Sequence, residues 1–341
     1  MPIPLFKPSI RRKDMDSVLT CLVNDAIGPA DENKEFCKAL AKYIHLAGGI
    51  ALREGSQAVR LVFDALGLDS GKEVIISPLS PAYYIPVMWE KDLIPVYADV
   101  DPSNGTMRSE EVEKRLSDRT GAVIVHYPLG FVPETERIAS FGVPVIEDCT
   151  ESLGANTGTT MGGGIGRYTL VGTEPRHMIT TGGGTVALAK TTRDFGKLRN
   201  IVSEMPADSF LPDMNAALGM VQLKEIETFI EKRREIAASY TDAVHKTRHP
   251  TLVQKGDAEA VWFSFPVYLE TGMNEVRQYA LKKHVETGPA FSNTAFECAP
   301  DPDNPCPEAK GLLMRCLLFP LYPTIGRKNA ETVAKVLATL P

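Results

Sequence analysis

Short runs rich in valine and isoleucine alternate with helix-like segments between Gly49 and Lys190, and this alternation limits the fold more than any other feature. Buried strands of a parallel sheet read as nearly continuous apolar runs, and helices on both faces of the sheet connect them. The runs at 50–52, 73–77, 93–98, 122–126 and 143–147 are predicted strands, and the segments at 58–66, 83–89, 109–116 and 133–141 are predicted helices. The pattern predicts an α/β domain with a mostly parallel sheet covered by helices.

The rest of the chain adds a strand pair and a second domain. Strand-like runs at 167–171 and 185–189 flank the segment PRHMITTGGG (175–184), which predicts a hairpin or an adjacent strand pair. A helical pattern over 215–244 is expected to lead into the second domain, which holds a strand at 261–269 and helices at 274–284 and after Thr324. Four prolines in 300–307 predict a loop. We expect a large domain over 1–240 and a small α+β domain over 241–341.

Charge and cysteine usage exclude several classes of function. The formal net charge of -6 leaves no basic excess to neutralise a nucleic-acid backbone, so a small molecule is the expected ligand. The six cysteines form no C-x-x-C pair, which argues against a zinc site and a disulfide framework and predicts no metal. Charged residues precede any apolar stretch of signal-peptide length, and no run of about 18 apolar residues occurs. We therefore expect a cytoplasmic protein that does not enter a membrane.

Polar residues that follow the predicted strands are the candidate ligand contacts, because open parallel sheets bind ligands beyond the carboxyl ends of their strands. Each candidate also has an ordinary structural explanation. Gly55, Ser56 and Gln57 either bind a phosphate or begin a helix with Ser56 as its N-cap. Tyr83 either stacks on a flat ligand or packs. The remaining candidates are Asp148 and Glu151, which either anchor a cationic ring or cap a turn, and His177, which either does chemistry or makes one structural hydrogen bond.

Taken in order, seven segments resemble the DegT/DnrJ/EryC1/StrS sugar aminotransferases, which are pyridoxal-phosphate enzymes of fold-type I. The resemblance implies a seven-stranded, mostly parallel sheet, a smaller C-terminal domain, and a homodimer with its cofactor sites at the subunit interface. It also implies nucleotide-linked keto sugars as substrates and an amino acid as the amine donor. The segments are GKEVIISP, IPVYADVDPSNGTM, PVIEDCTESLGA, ITTGGGTVAL, LRNIV, NAALGMVQLKEIETFIEKRREIAASY and LLFPLYPTI.

The resemblance assigns roles to some residues and removes them from others. It implies that Asp148 holds the pyridine nitrogen, that Glu151 lies beside the ring, and that Gly55 and Ser56, followed by Gln57, receive the cofactor phosphate. Tyr83 is near enough to replace the stacking aromatic residue. Four family positions are changed in this sequence: the Schiff-base lysine falls on His177, a phosphate-binding serine on Gly172, the stacking aromatic on Pro81, and the partner subunit's asparagine on Asp208.

With His177 at the lysine position, ordinary transamination is not expected, because the imidazole nitrogen lacks the two hydrogens that an amine loses when it forms an imine. The lost serine would cost the phosphate about 1.5–3 kcal/mol, so we expect pyridoxal phosphate to be bound weakly or not at all. The expected function is that of a non-transaminating relative that binds a nucleotide sugar. One alternative is a pyridoxal-phosphate-dependent dehydratase or lyase on a keto-deoxy sugar nucleotide, with His177 as general base, since the GDP-4-keto-6-deoxymannose 3-dehydratases of the family carry histidine here. Another is a non-catalytic subunit that pairs with an active homologue.

Overall fold

A seven-stranded sheet lies at the centre of the structure, a computed structural model that describes residues 2–341. The strand order is β1-β7-β6-β5-β4-β2-β3. Its strands are β1 (Gly48–Leu52), β2 (Glu73–Ile76), β3 (Ile94–Tyr97), β4 (Thr120–His126), β5 (Val145–Asp148), β6 (Tyr168–Gly172) and β7 (Thr185–Ala189).

Strand direction places the functional edge of this sheet. β7 runs antiparallel to its neighbours β1 and β6, and the other pairs are parallel. The carboxyl ends of β1, β2, β4, β5 and β6 therefore lie at one edge. The predicted mostly parallel sheet and the adjacent pair of strands around PRHMITTGGG are confirmed.

Helices cover the sheet because each buries one apolar face. In α3 the side chains of Val59, Val62 and Phe63 are buried, and Gly67 ends the helix in the left-handed conformation with φ 68°. The first residue of α3 lies just beyond the end of β1. The helices of this part are α1 (Arg12–Val23), α2 (Asp31–Ile44), α3 (Gly55–Leu66), α4 (Tyr84–Glu90), α5 (Ser109–Arg115), α6 (Thr135–Ala139), α7 (Thr192–Val202), α8 (Asp213–Leu223) and α9 (Ile226–Val244).

A second, smaller core forms around a three-stranded antiparallel sheet with the order β8-β10-β9. Ile3 pairs with Val285, so the beginning of the chain packs on this part. The elements are β8 (Phe265–Tyr268), α10 (Met273–Lys282), β9 (Gly288–Pro289), α11 (Ala295–Cys298), α12 (Pro307–Arg315), β10 (Cys316–Phe319) and α13 (Arg327–Leu337).

Helix α9 contributes to both cores. Ile230 packs in the core of the large sheet, whereas Tyr240 packs in the smaller one. The buried Arg233 donates from Nη1 to the carbonyl oxygens of Phe263 at 2.7 Å and Leu321 at 3.1 Å. The expected boundary at residues 240 and 241 stays a prediction, and α9 runs across it.

Two of the predicted elements differ from the structure. The single helix over 215–244 is wrong, because the chain breaks at Lys224 and Glu225 into α8 and α9. Glu225 pairs there with Arg11 at 2.9 Å and also with Lys13, contacts that periodicity cannot reveal. The strand predicted at 261–269 is shorter, covering only β8. Within residues 2–341, no helix combines the length and apolar character needed to cross a bilayer.

Candidate functional site

A cavity of about 610 Å³ opens at the carboxyl edge of the sheet and reaches β9 of the smaller part. Five of the seven predicted site residues line it: Gly55, Ser56, Tyr83, Glu151 and His177. Gln57 and Asp148 do not reach its surface, and Asp148 is fully buried beneath the cavity floor. The structure therefore brings together side chains that are far apart in sequence, while their roles toward a cofactor stay predictions.

Asp148 accepts hydrogen bonds on both carboxylate oxygens. Its Oδ2 accepts from Tyr84 Oη at 2.6 Å and lies 2.7 Å from His126 Nδ1, while Oδ1 accepts from the Thr150 amide at 3.1 Å. His126 and Asp148 are direct neighbours in the register of β4 and β5. Protein groups thus surround this carboxylate.

The surroundings of Asp148 keep it charged. Burial alone would raise its pKa, but His126 and the hydrogen bonds from Tyr84 and Thr150 lower the pKa to about 2. Burial alone would likewise lower the pKa of His126, but the Asp148 carboxylate raises it. The pair is a buried, mutually stabilised charge system at the base of the cavity.

Helix α3 begins at Gly55, with Glu54 in the N-cap position, so the alternative that Ser56 is the N-cap is wrong. Ser56 Oγ instead lies 3.3 Å from Glu54 Oε2. A methyl group on Gly55 would lie 3.0 Å from both Cζ and Oη of Tyr83, so the phenol already covers this residue. Gln57 points elsewhere, and its Oε1 is buried without a hydrogen-bond partner among residues 2–341.

The two carboxylates that flank Asp148 face different surroundings. Glu151 lines the cavity and accepts from the Leu129 amide at 2.9 Å. Glu147 is buried away from the cavity and accepts from the amides of Gly163 at 2.9 Å and Ile165 at 2.7 Å. The glycine-rich segment 162–166 therefore wraps a structural carboxylate.

His177 folds back within its own turn. Its Nδ1 accepts a hydrogen bond from the Glu174 amide at 3.0 Å, so in the neutral ring the proton is on Nε2. Burial, together with the nearby Arg176 guanidinium, lowers the pKa of His177 to about 3. A methyl group on Gly172 would lie 2.3 Å from Cε1 and Nδ1 of this ring. The imidazole therefore depends on a residue without a side chain at the end of β6.

Several groups at the cavity lie outside the seven predicted site residues. His126 is the last residue of β4, and inspection of the strand ends would have included it. Tyr84 adjoins the predicted Tyr83, but only the fold shows that its hydroxyl reaches Asp148. Phe263 and the segment 288–294 line the opposite wall and carry no local sequence signal. Among residues 2–341, no group of three or more His, Cys, Asp or Glu side chains is placed to hold a metal.

The lowered pKa of His177 predicts a loss of stability in acid. Between its ordinary pKa of about 6.5 and the folded value of about 3, the unfolded chain binds a proton that the folded chain does not. Stability therefore falls as the pH decreases through this window. A full proton difference is worth about 1.4 kcal/mol of unfolding free energy per pH unit. Because the His177 side chain is partly exposed, we expect a smaller total loss of about 1.5 kcal/mol between pH 6 and pH 4.

Urea unfolding at pH 6 and pH 4 measures the contribution of His177 to the pH dependence of stability. The decrease in unfolding free energy should be about 1.5 kcal/mol larger for the unmodified chain than for His177→Asn, whose amide oxygen can still accept from the Glu174 amide. His245→Asn, an exposed histidine beyond the end of α9, is the matched control and should follow the unmodified chain. Equal decreases for the unmodified chain and His177→Asn would contradict the assignment.

The chain is similar to known proteins over nearly its whole length. The model of the DegT/DnrJ/EryC1/StrS aminotransferase family matches residues 8–338. GDP-perosamine synthase of Escherichia coli O157:H7 is 24% identical over 85% of this chain and 84% of its own length. GDP-4-keto-6-deoxy-D-mannose 3-dehydratase of Yersinia pseudotuberculosis is 24% identical over 87% and 84%.

The fold agrees with these relatives. The crystal structure of the aminotransferase TlmJ from Streptoalloteichus hindustanus superposes with a TM-score of 0.91, at 19% identity, covering 99% of this chain and 98% of that one. The seven-stranded sheet with its smaller C-terminal part is thus the fold of the fold-type I, pyridoxal-phosphate-dependent aminotransferases. The chain belongs to the DegT/DnrJ/EryC1/StrS aminotransferase family.

Proposed function

We propose that this chain binds a sugar nucleotide in the crevice at the carboxyl edge of the sheet and does not exchange amines. The residue that carries the proposal is His177, which the sequence resemblance puts at the position of the family lysine and whose imidazole cannot form an imine. Its Nδ1 lone pair is already directed at the Glu174 amide. Among residues 2–341, no lysine lines the crevice, so none of these side chains supplies a primary amine in its place.

The residues of the crevice fit pyridoxal phosphate poorly. Gly172 offers no hydroxyl, and a serine there would overlap the imidazole of His177. Asp148, the expected partner of the pyridine nitrogen, already accepts from Tyr84, His126 and Thr150. The first observation removes a hydroxyl that the resemblance expects at the cofactor phosphate, and the second leaves few acceptor positions on Asp148 for a pyridine nitrogen. We therefore assign no catalytic step to pyridoxal phosphate in this chain.

The same crevice suits a sugar nucleotide. Its volume of about 610 Å³ falls within the usual range of small-molecule sites. The exposed guanidinium groups of Arg53 and Arg176 lie on its walls, where they can pair with a diphosphate. Asn293 offers an amide for sugar hydroxyls. The relatives named above act on GDP-linked sugars, which points to the same ligand class here.

Loading with pyridoxal phosphate tests the absence of amine exchange. After incubation with the cofactor, treatment with borohydride and dialysis, we expect no stoichiometric pyridoxyl-lysine in the protein. An active aminotransferase of the family, treated in parallel, should retain one adduct per subunit. A single reducible adduct on a lysine of this chain, identified by mass spectrometry, would refute the proposal.

Calorimetric titration with GDP-mannose tests ligand binding. We expect GDP-mannose to bind more tightly than GDP, and Arg176→Ala to weaken binding about tenfold, because a charge-assisted hydrogen bond is worth about 1.5–3 kcal/mol. Arg327→Ala, on the exposed first turn of α13, is the control and should bind like the unmodified chain. No heat of binding at about 1 mM ligand would count against a sugar-nucleotide site.

A dehydratase is the second candidate, favoured by the Yersinia relative. As a general base, His177 would need a free lone pair and a pKa near neutrality. The Glu174 amide occupies Nδ1, and burial lowers the pKa of this ring to about 3, so the geometry favours the first proposal. Loss of water from a GDP-linked 4-keto-6-deoxy sugar, abolished by His177→Asn, would establish the dehydratase instead.

We further propose that the chain forms a homodimer in the cytoplasm. Along α1 the apolar side chains of Met15, Leu19 and Val23 are 52%, 55% and 82% exposed, an arrangement that often marks a protein interface. Sedimentation should give twice the mass of one chain, and Leu19→Glu with Val23→Glu should give the monomer. Leu281→Glu, at an equally exposed leucine of α10, should remain dimeric. Co-purification with a homologous subunit in place of a second copy would support the non-catalytic partner instead.

A further inference from the structure

Two adjacent tyrosines at the start of α4 extend beneath and into the crevice. Tyr84 is fully buried, and its hydroxyl donates to Asp148 Oδ2 at 2.6 Å. The ring of Tyr83 packs edge-on against it, with ring centroids 4.9 Å apart and an interplanar angle of 86°. This is a favourable geometry for an aromatic pair, so each ring helps to fix the other.

The far end of Tyr83 covers the beginning of α3. Its Cζ and Oη would lie 3.0 Å from a methyl group on Gly55, closer than side-chain atoms normally approach. A side chain at position 55 would therefore require the phenol to shift. Tyr83 thus packs against the Gly55 α-carbon at the first turn of α3.

The two tyrosines thus contact the two ends of the space expected for the cofactor. The resemblance places the pyridine nitrogen at Asp148 and the phosphate at Gly55 and Ser56. Tyr84 contacts the first of these anchors, and Tyr83 contacts the second. Burial, with Asp148 nearby, raises the pKa of both phenols, so they remain neutral and Tyr84 keeps its proton for Asp148.

We propose that Tyr83 and Tyr84 fill the space in which other family members hold pyridoxal phosphate, so that the cofactor is excluded by shape as well as by the missing amine. The inference rests on the proposed function in taking this crevice as the family's cofactor site. It replaces the stacking role expected of Tyr83. Tyr83 lines the cavity of about 610 Å³ together with Gly55 and Ser56, and this remaining space is left for the sugar nucleotide.

Binding of pyridoxamine 5′-phosphate to the full-length chain tests this inference. This compound carries its own amine and needs no lysine, so its affinity reports the available space independently of His177. By calorimetry, Tyr83→Ala/Tyr84→Ala should bind it at least tenfold more tightly than the unmodified chain. Tyr279→Ala removes a tyrosine of α10 that bonds Thr339, away from the crevice, and should bind like the unmodified chain.

The outcomes separate the two proposals. Equal affinity of the unmodified chain and a folded double variant, or no gain in the variant, overturns the inference. If the double variant does not fold, Tyr83→Ala decides by the same criterion, because it retains the bond between Tyr84 and Asp148. Titration of the same proteins with GDP-mannose measures the proposed function separately. If the double variant gains affinity for pyridoxamine 5′-phosphate but the unmodified chain does not bind GDP-mannose, only the proposed function is contradicted.

Discussion

Asp148→Ala is expected to lower the free energy of unfolding by about 3–5 kcal/mol, the cost of removing one partner from a buried charge pair. The change removes the acceptor shared by Tyr84, His126 and Thr150. These donors would remain buried without a partner, and the space of the carboxylate would be lost as packing volume.

Urea denaturation at pH 7 measures this effect. Asp31→Ala, in the exposed first turn of α2, should change the free energy by no more than about 0.5 kcal/mol. The pKa of His126, followed by NMR, should fall in Asp148→Ala because the carboxylate that raises it is gone. A loss below about 1 kcal/mol would mean that Asp148 does not organise the floor of the cavity.

Gly172→Ser is expected to destabilise the protein by about 2–3 kcal/mol, the upper range for overpacking a buried site. The added Cβ would lie 2.3 Å from the His177 ring and 3.0 Å from Thr150 Cβ, so the ring would have to leave the Glu174 amide. In the His177→Ala background the same change should cost less than about 1 kcal/mol, because most of the overlap is removed.

The four proteins of this mutant cycle give the coupling between positions 172 and 177 directly. Gly196→Ser is the control, since a Cβ on Gly196 meets no other atom within 4 Å. If the two changes are additive within about 0.5 kcal/mol, the residues do not depend on one another. Strong coupling would mean that a serine at position 172 and the histidine at position 177 do not fit together.

The sheet could be predicted from the sequence because its strands are buried on both faces. Runs such as Val74–Ile76 and Ala122–Val125 are continuously apolar, and helical segments of adequate length separate them. β10 was harder to predict, because four apolar residues between Arg315 and Pro320 are equally compatible with the end of a helix. At the break between α8 and α9, Glu225 pairs with Arg11, which is over 200 residues away in sequence, and no local pattern reveals such a contact.

The candidate site, like the fold, was predicted from the sequence only in part. Asp148 ends β5, Glu151 lies just beyond it, and His177 follows β6, so topology brings these residues to one edge of the sheet. The contact of Tyr84 with Asp148 and the overlap of His177 with position 172 depend on side-chain direction and on distances of 2–3 Å, which no spacing rule contains. The changes that the resemblance implies could therefore be read from the sequence, whereas the contacts among these residues were visible only in three dimensions.

The single helix shared by the two cores has a mechanical consequence. Swinging the smaller part away from the large sheet would require bending the 19-residue α9 or pulling the buried Arg233 from the carbonyl of Phe263, which forms a wall of the crevice. Both distortions oppose a hinge motion. The width of the binding crevice is therefore expected to change little when a ligand binds.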